Sequence, residues 1–168
     1  MAFSVSIATE DDVAAIAALR NSVAEQLIIE YGNGHWSSCV KESAVLRDLR
    51  TSKTFIARVN GILAGTFRFA TKKPWAIDLK YFTPVSKALY LHDMAISPAM
   101  QRLSLGKQII AEAIDFARSF PCEAIRLDAY DAPAGAGPFY SKCGFNEVGR
   151  VTYRGVPLIY FEMLLSQP

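Results

Sequence analysis

Between Leu91 and Ile110 the chain reads LHDMAISPAMQRLSLGKQII, and these residue types in this order can hold a phosphorylated ligand. An apolar stretch runs into a turn at Pro98, Gln101, Arg102 and then Gly106 follow, and an amphipathic pattern begins. A helix that starts straight after such a turn has no intrahelical partners for its first backbone N–H groups, and its dipole favours an anion there. Arg102 and Lys107 add fixed positive charge at the same place. That chemistry suits a pyrophosphate and so a nucleotide-like cofactor. The alternative is an ordinary strand–turn–helix connection. Just upstream, His92 titrates near ~6.5 in its ordinary state and can move a proton near neutrality. Asp93 beside it is a second candidate base. On a regular strand Tyr90, His92, Met94 and Ile96 share one face, and Leu91, Asp93 and Ala95 the other.

The elements that position these residues follow from hydrophobic spacing. Phe3 to Ala8 alternates as a half-buried strand. Thr9 then opens a helix with Glu10, Asp11 and Asp12 in its first turn, where the dipole favours acids. Val13, Ile16, Leu19, Val23 and Leu27 keep helical spacing to about Ile29, and a second helix is expected over Cys39 to Arg50. Thr54–Val59 and Ile62–Ala70 read as strands joined across Asn60-Gly61, a hairpin signal. Thr71 to Lys87, with Pro74 and Pro84, reads as a loop or a second hairpin. Ala88–Ile96 is a buried strand, Gly106–Ser119 a helix and Ala124–Ala129 a strand. Pro138–Cys143 is a short helix that Gly144 ends, and Phe145–Tyr153 and Val156–Leu164 form a last hairpin across Arg154-Gly155. The order β-α-α-β-β-β-α-β-α-β-β predicts one mixed α/β domain over residues 1–168.

Composition narrows the function classes. With 51% hydrophobic and 20% charged residues the chain is globular, and its apolar share leaves room for a homodimer interface. A net charge of +2 without a basic tail or stripe argues against a nucleic-acid partner. No apolar run reaches the ~18 residues of a membrane span. MAFSVSIATEDD lacks the basic and apolar regions of a signal peptide. Cys39, Cys122 and Cys143 are odd in number and far apart, and no His/Cys cluster accompanies them, so no metal site is expected. They read as reduced thiols of a cytoplasmic protein.

Two segments together resemble the GCN5-related N-acetyltransferase (GNAT) superfamily, and the likeness covers nearly the whole chain. Gln101-Arg102-Leu103-Ser104-Leu105-Gly106 is similar to the family's Q/R-x-x-G-x-G/A loop, with Ser104 where its first glycine stands. Phe139-Tyr140-Ser141-Lys142-Cys143-Gly144-Phe145 is similar to its FY-x-K-x-GF signature. The resemblance implies a mixed central sheet flanked by helices, with its fourth and fifth strands splayed around the pantetheine arm of acetyl-CoA. The backbone of Met94, Ala95 and Ile96 would meet that arm, and the Gln101–Lys107 amides (Gln101, Arg102, Leu103, Ser104, Leu105, Gly106, Lys107) would hold the pyrophosphate. Tyr140 would lie near the cofactor sulfur and protonate the departing thiolate. A phenol with a pKa of about 10 can serve a thiol near ~8.5. Cofactor-contacting asparagine is common about seven residues before that tyrosine, but here the position is Pro133, with Asp131 as a substitute.

The implied reaction is direct attack of a primary amine, expected to belong to a small molecule, on the thioester. A lysine-like amine is mostly protonated at pH 7, and deprotonating it costs about 4–5 kcal/mol. Tyr90 to Ile96 is similar to a strand of arylalkylamine acetyltransferases whose histidines relay this proton, and His92 falls on the second of them. A histidine bonded in the core is the other reading of His92. The acceptor is expected between the first two helices and the strand-3 to strand-4 region, with Tyr31, His35, Trp36, Trp75, Tyr81 and Phe82 as wall candidates. Such a wall suits an apolar or aromatic amine, although the same residues also suit a core or a dimer interface. A protein lysine or N-terminus as acceptor, and an acyl-CoA sensor without turnover, are the rival functions.

Overall fold

The computed structural model describes residues 2–166. Its elements are β1 (Phe3–Ile7), α1 (Val13–Tyr31), α2 (Glu42–Thr51), β2 (Lys53–Val59), β3 (Ile62–Ala70), β4 (Ala88–Ile96), α3 (Leu105–Ser119), β5 (Ala124–Tyr130), α4 (Gly137–Lys142), β6 (Asn146–Tyr153) and β7 (Val156–Leu164). The strands follow one another in the order β1-β2-β3-β4-β5-β7-β6, and β4 runs parallel to β5. This is the mixed α/β sheet that the sequence predicts. Among the described residues no helix is long and apolar enough to cross a membrane. The chain packs as two compact units, residues 2–70 with 92–112 and residues 71–91 with 113–166.

In the first unit the Thr9 N–H donates to the Asp12 carboxylate at 2.8 Å, closing the turn that leads into α1. Val13, Ile16 and Ala17 of α1 then pack with Val45 of α2 and Ile56 of β2. Helix α2 begins at Glu42, three residues later than the sequence predicts. The Asn21 side chain explains the delay. It accepts the Val40 N–H at 2.7 Å and donates to the Val40 carbonyl at 3.0 Å, so both backbone groups are spent outside a helix. The β2–β3 hairpin turns at Asn60 and Gly61, both with positive φ (51° and 81°), as the two-residue turn requires.

In the second unit β5 pairs with β7 over its whole length, and β6 pairs with β7 across Arg154-Gly155. Residues 71–87 form a loop with a single helical turn at Leu79–Tyr81, not a hairpin. Ile77 and Phe82 of this loop pack with Tyr90 and Tyr160. A buried ion pair ties the same loop to the sheet. Arg126 and Glu162 face each other across β5 and β7, 4% and 3% exposed, with Nε to Oε2 at 3.1 Å. The guanidinium also donates to the Thr83 carbonyl at 2.6 Å and the Tyr90 hydroxyl at 3.2 Å, and lies 5.1 Å from the Phe82 ring. The Thr83 N–H donates to the second Glu162 oxygen at 3.2 Å.

Glu162→Ala leaves the guanidinium buried without its counter-charge, and is expected to lower stability by about 3–5 kcal/mol in urea unfolding. A loss under about 1 kcal/mol would show that Arg126 does not depend on Glu162.

Candidate active site

The first unit carries the His92–Lys107 residues. Strand β4 is not regular: Asp93 has φ +53°, a conformation that a non-glycine residue rarely adopts, least of all within a strand. The expected alternation from Tyr90 to Ile96 therefore breaks at Asp93, and the assignment of these side chains to two faces is corrected. Two guanidiniums hold the Asp93 carboxylate. Arg20 of α1 reaches one oxygen at 3.0 Å, and Arg68 of β3 reaches the other at 2.9 Å. Asp48 of α2 lies 4.0 Å from both arginines, so four charges alternate in sign. Both oxygens of this carboxylate are thus engaged in charge-assisted bonds.

His92 stands beside this cluster and is half-buried. Burial, and secondarily the Arg68 guanidinium, lower its pKa from the usual 6.5, against the opposing pull of Asp93 and Asp48. The ring is therefore neutral near pH 7 and able to accept a proton. Beyond it, Ala95 is buried while Met94 and Ile96 are half-buried, and the Ser97 N–H donates to the Ala64 carbonyl at 2.8 Å.

The connection from β4 to α3 is a helical turn at Pro98–Met100 followed by Gln101 to Ser104. Gln101 and Gln26 of α1 exchange two amide hydrogen bonds, at 3.1 and 2.9 Å, and Gln101 also donates to the Ile96 carbonyl at 3.2 Å. The Gln101 side chain thus fastens the loop to α1. Arg102 and Ser104 both have positive φ, 64° and 61°. Ser104 thus takes a backbone conformation natural to glycine, and it does so without glycine's freedom. Leu105 is buried and anchors the first turn of α3, Gly106 is half-buried, and Arg102, Leu103, Ser104 and Lys107 are exposed. The unit therefore presents a helix N-terminus beside two exposed cations.

The second unit carries Tyr140 on α4. Phe145 and Gly144 end this helix in a Schellman motif. The Phe145 N–H donates to the Tyr140 carbonyl at 3.1 Å, and the Gly144 N–H to the Ser141 carbonyl at 3.2 Å. Gly144 has φ +94°, and the Phe145 ring returns to pack 5.7 Å from the Tyr140 ring. Phe161 of β7 packs on Tyr140 as well, and the tyrosine is 8% exposed. The glycine and phenylalanine of the signature are thus what seat the tyrosine. Upstream, the Asp131 carboxylate, the expected substitute for asparagine, pairs with Arg150 at 3.2 Å.

The expected acceptor wall divides between the two units. In the first, Tyr31 is exposed at the end of α1, and the Trp36 indole N–H donates to the Gly32 carbonyl within its own loop at 3.0 Å. In the second, Trp75 and Tyr81 line one cleft with Tyr153 and Tyr160. Sequence reasoning missed Arg20, Arg68 and Asp48, which no motif marks. It missed the buried Arg126–Glu162 pair too, although Glu162 is the lone charged residue of VPLIYFEML and Arg126 the lone base of AIRLDAY.

Comparison with known proteins matches residues 16–145 to the model of the Acetyltransferase (GNAT) family. A GNAT-family acetyltransferase from Listeria monocytogenes has a similar fold, with 24% identity, a TM-score of 0.75, and 97% of this chain and 95% of that one covered. A putative acetyltransferase from Salmonella typhimurium, solved with its cofactor acetyl-CoA, is 18% identical with a TM-score of 0.70, covering 100% and 96%. The ribosomal-protein-S18-alanine N-acetyltransferase from Escherichia coli is 17% identical with a TM-score of 0.72, covering 99% and 96%.

Ser104→Gly is expected to stabilise the protein by about 1 kcal/mol by relieving the left-handed strain, read as a raised thermal midpoint. An unchanged or lower midpoint would mean that the serine is not strained. His92 carries a pH signature. Its folded pKa lies below the unfolded value of ~6.5, so on acidification the unfolded chain binds the proton first and stability is lost as pH falls from there through the folded pKa. Urea midpoints compared at about pH 7.5 and about pH 5 should fall less in His92→Gln than in the wild type. Equal falls would remove His92 from the account.

Proposed function

The chain is a member of the Acetyltransferase (GNAT) family, and we propose that it transfers the acetyl group of acetyl-CoA to the primary amine of a small molecule by direct attack. The observation that carries this reading is the β4-to-α3 connection. There two left-handed residues, Arg102 and Ser104, turn the backbone into the N-terminus of α3 beside the exposed Arg102 and Lys107 side chains. Exposed amides, a helix dipole and two cations suit the pyrophosphate of CoA. Residues Gln101 to Lys107 would hold it, with Gln101 keeping the loop on α1 and the others offering backbone N–H groups or charge. The backbone of Met94, Ala95 and Ile96 would receive the pantetheine arm.

Acetyl-CoA supplies an acetyl group activated as a thioester. The protein's residues supply the proton transfers. His92, neutral near pH 7, takes the amine proton directly or through a water as the C–N bond forms. As the C–S bond breaks, the Tyr140 phenol donates its proton to the leaving sulfur. Asp93 is assigned to positioning rather than to base catalysis, because Arg20 and Arg68 occupy its carboxylate. A small acceptor is favoured over a protein by the cleft that Trp75 and Tyr81 line, whose volume of about 730 Å3 suits a small molecule. The exposed Cys39 thiol suits the reducing cytoplasm.

Thermal unfolding tests the cofactor. Acetyl-CoA at about 100 times its dissociation constant should add roughly 2.7 kcal/mol of stability. No shift with acetyl-CoA or with free CoA would overturn the reading. In Tyr140→Phe the acetylation rate is expected to fall at least about tenfold with the CoA-induced shift retained, and an unchanged rate would remove Tyr140 from the acid role. For His92 the rate should be present above its lowered pKa and lost as pH falls through it. This acidic limb should vanish or move in His92→Ala.

A further inference from the structure

The loop between β3 and β4 forms one wall of a cleft of about 730 Å3, opposite Val151 to Tyr153 of β6 and beside Tyr160 of β7. This volume lies within the roughly 300–1,000 Å3 of small-molecule sites. Four of its lining residues, Trp75, Tyr81, Tyr153 and Tyr160, are aromatic. Two large apolar side chains stand in solvent at its edge, Trp75 at 83% exposed and Leu79 at 48%. A flat ligand would cover both.

The wall is held firmly. The Lys73 ammonium donates to the carbonyls of Pro74 and Ile77, at 3.1 and 2.7 Å. The Tyr160 hydroxyl accepts the Asp78 N–H at 3.2 Å and donates to the Ala76 carbonyl. Tyr81 stands edge-on to Tyr160 with centroids 5.5 Å apart, and its ring lies so close over Gly149 that a Cβ there would overlap it. A site fixed before binding loses little entropy when it is filled. The one carboxylate in its lining is already paired. The Lys73 protons go to carbonyls, and the Asp78 carboxylate is paired with Lys80 at 3.2 Å. Tyr160 is 1% exposed and Lys80 and Arg154 lie over the Tyr81 and Tyr153 rings, so the open aromatic surface of the cleft is chiefly that of Trp75, with no unpaired carboxylate in the lining to draw a charged ring.

We infer that this cleft binds the aromatic body of the acceptor, so that the substrates are primary amines carrying a flat, uncharged ring. The inference rests on the acetyl-transfer reading for the word acceptor, and on the cleft alone for the ring. Successive side chains of a strand point to opposite faces, so the Tyr160 side of β7 is the side away from Phe161 and α4. A ring held here leaves the Tyr140 side of that strand to other groups.

The test uses 2-phenylethylamine and n-butylamine, which share the amine but not the ring. The chain has two tryptophans. Addition of 2-phenylethylamine to the wild type should change tryptophan emission saturably, and Trp75→Phe, which retains Trp36, should lose that change. Trp75 is so exposed that neither variant threatens the fold. In acetyl transfer, Trp75→Ala should raise KM for 2-phenylethylamine about tenfold and leave KM for n-butylamine within about twofold. Absence of a saturable emission change, an equal response to n-butylamine, or equal KM changes for the two amines would overturn the inference. A Trp75-dependent signal without acetylation of either amine would uphold the ring site and overturn the acetyl-transfer reading instead.

Discussion

Two arginines grip one carboxylate in a backbone conformation that strands do not otherwise hold. The left-handed turn at Asp93 is strained by roughly 1–2 kcal/mol, and it persists because Arg20 and Arg68 each make a charge-assisted bond to the side chain. Its consequences run in both directions along β4. A left-handed residue within a strand re-aims the side chains on either side of it. His92 is left next to a guanidinium that helps to keep its ring neutral, and Met94 to Ile96 resume the strand after the interruption. The helices contribute through the same cluster, since Arg20 comes from α1 and Asp48 from α2. The first two helices thus meet β4 through charge, and β2 through the apolar packing of Ile16, Val45 and Ile56.

The second unit solves a different problem with backbone hydrogen bonds. Tyr140 sits on a helix of only six residues, too short to be stable by itself. The Schellman closure at Gly144 supplies the missing order, and Phe145 and Phe161 clamp the ring from two sides. The phenol is placed by its own helix end, and the residues that follow the tyrosine matter as much as the tyrosine.

Much of this was legible in the chain. Strands β3, β4 and β7 lie where their apolar runs begin and end, and both hairpin turns fall on the predicted Asn60-Gly61 and Arg154-Gly155 pairs, because period-two burial and left-handed turn chemistry are local properties. What escaped was non-local. Helix α2 starts late because Asn21, nineteen residues before Val40, takes its backbone groups. The turn within β4 depends on Arg20 and Arg68, which are 73 and 25 residues from Asp93. Of the candidate site, the β4-to-α3 loop is legible in its residue order and the tyrosine helix through its resemblance to the family signature, while the tasks of Gln101 and Asp93 need coordinates, since an amide or a carboxylate reads alike whether it meets a ligand or another side chain.

Arg126 and Glu162 constrain how this sequence can drift over generations. Either residue alone is a buried charge with no counterpart, whereas the two replaced together by apolar residues of similar size can fill the same space at little loss. Changing one first therefore costs stability that changing both together does not, and the two positions are energetically coupled. The loop around Thr83 is coupled to them, because that residue's N–H and carbonyl are bonded to Glu162 and Arg126 respectively. The cleft wall is thus open to change at the exposed Trp75 and Leu79 but anchored at Thr83, with the strand pairing beneath it fixed.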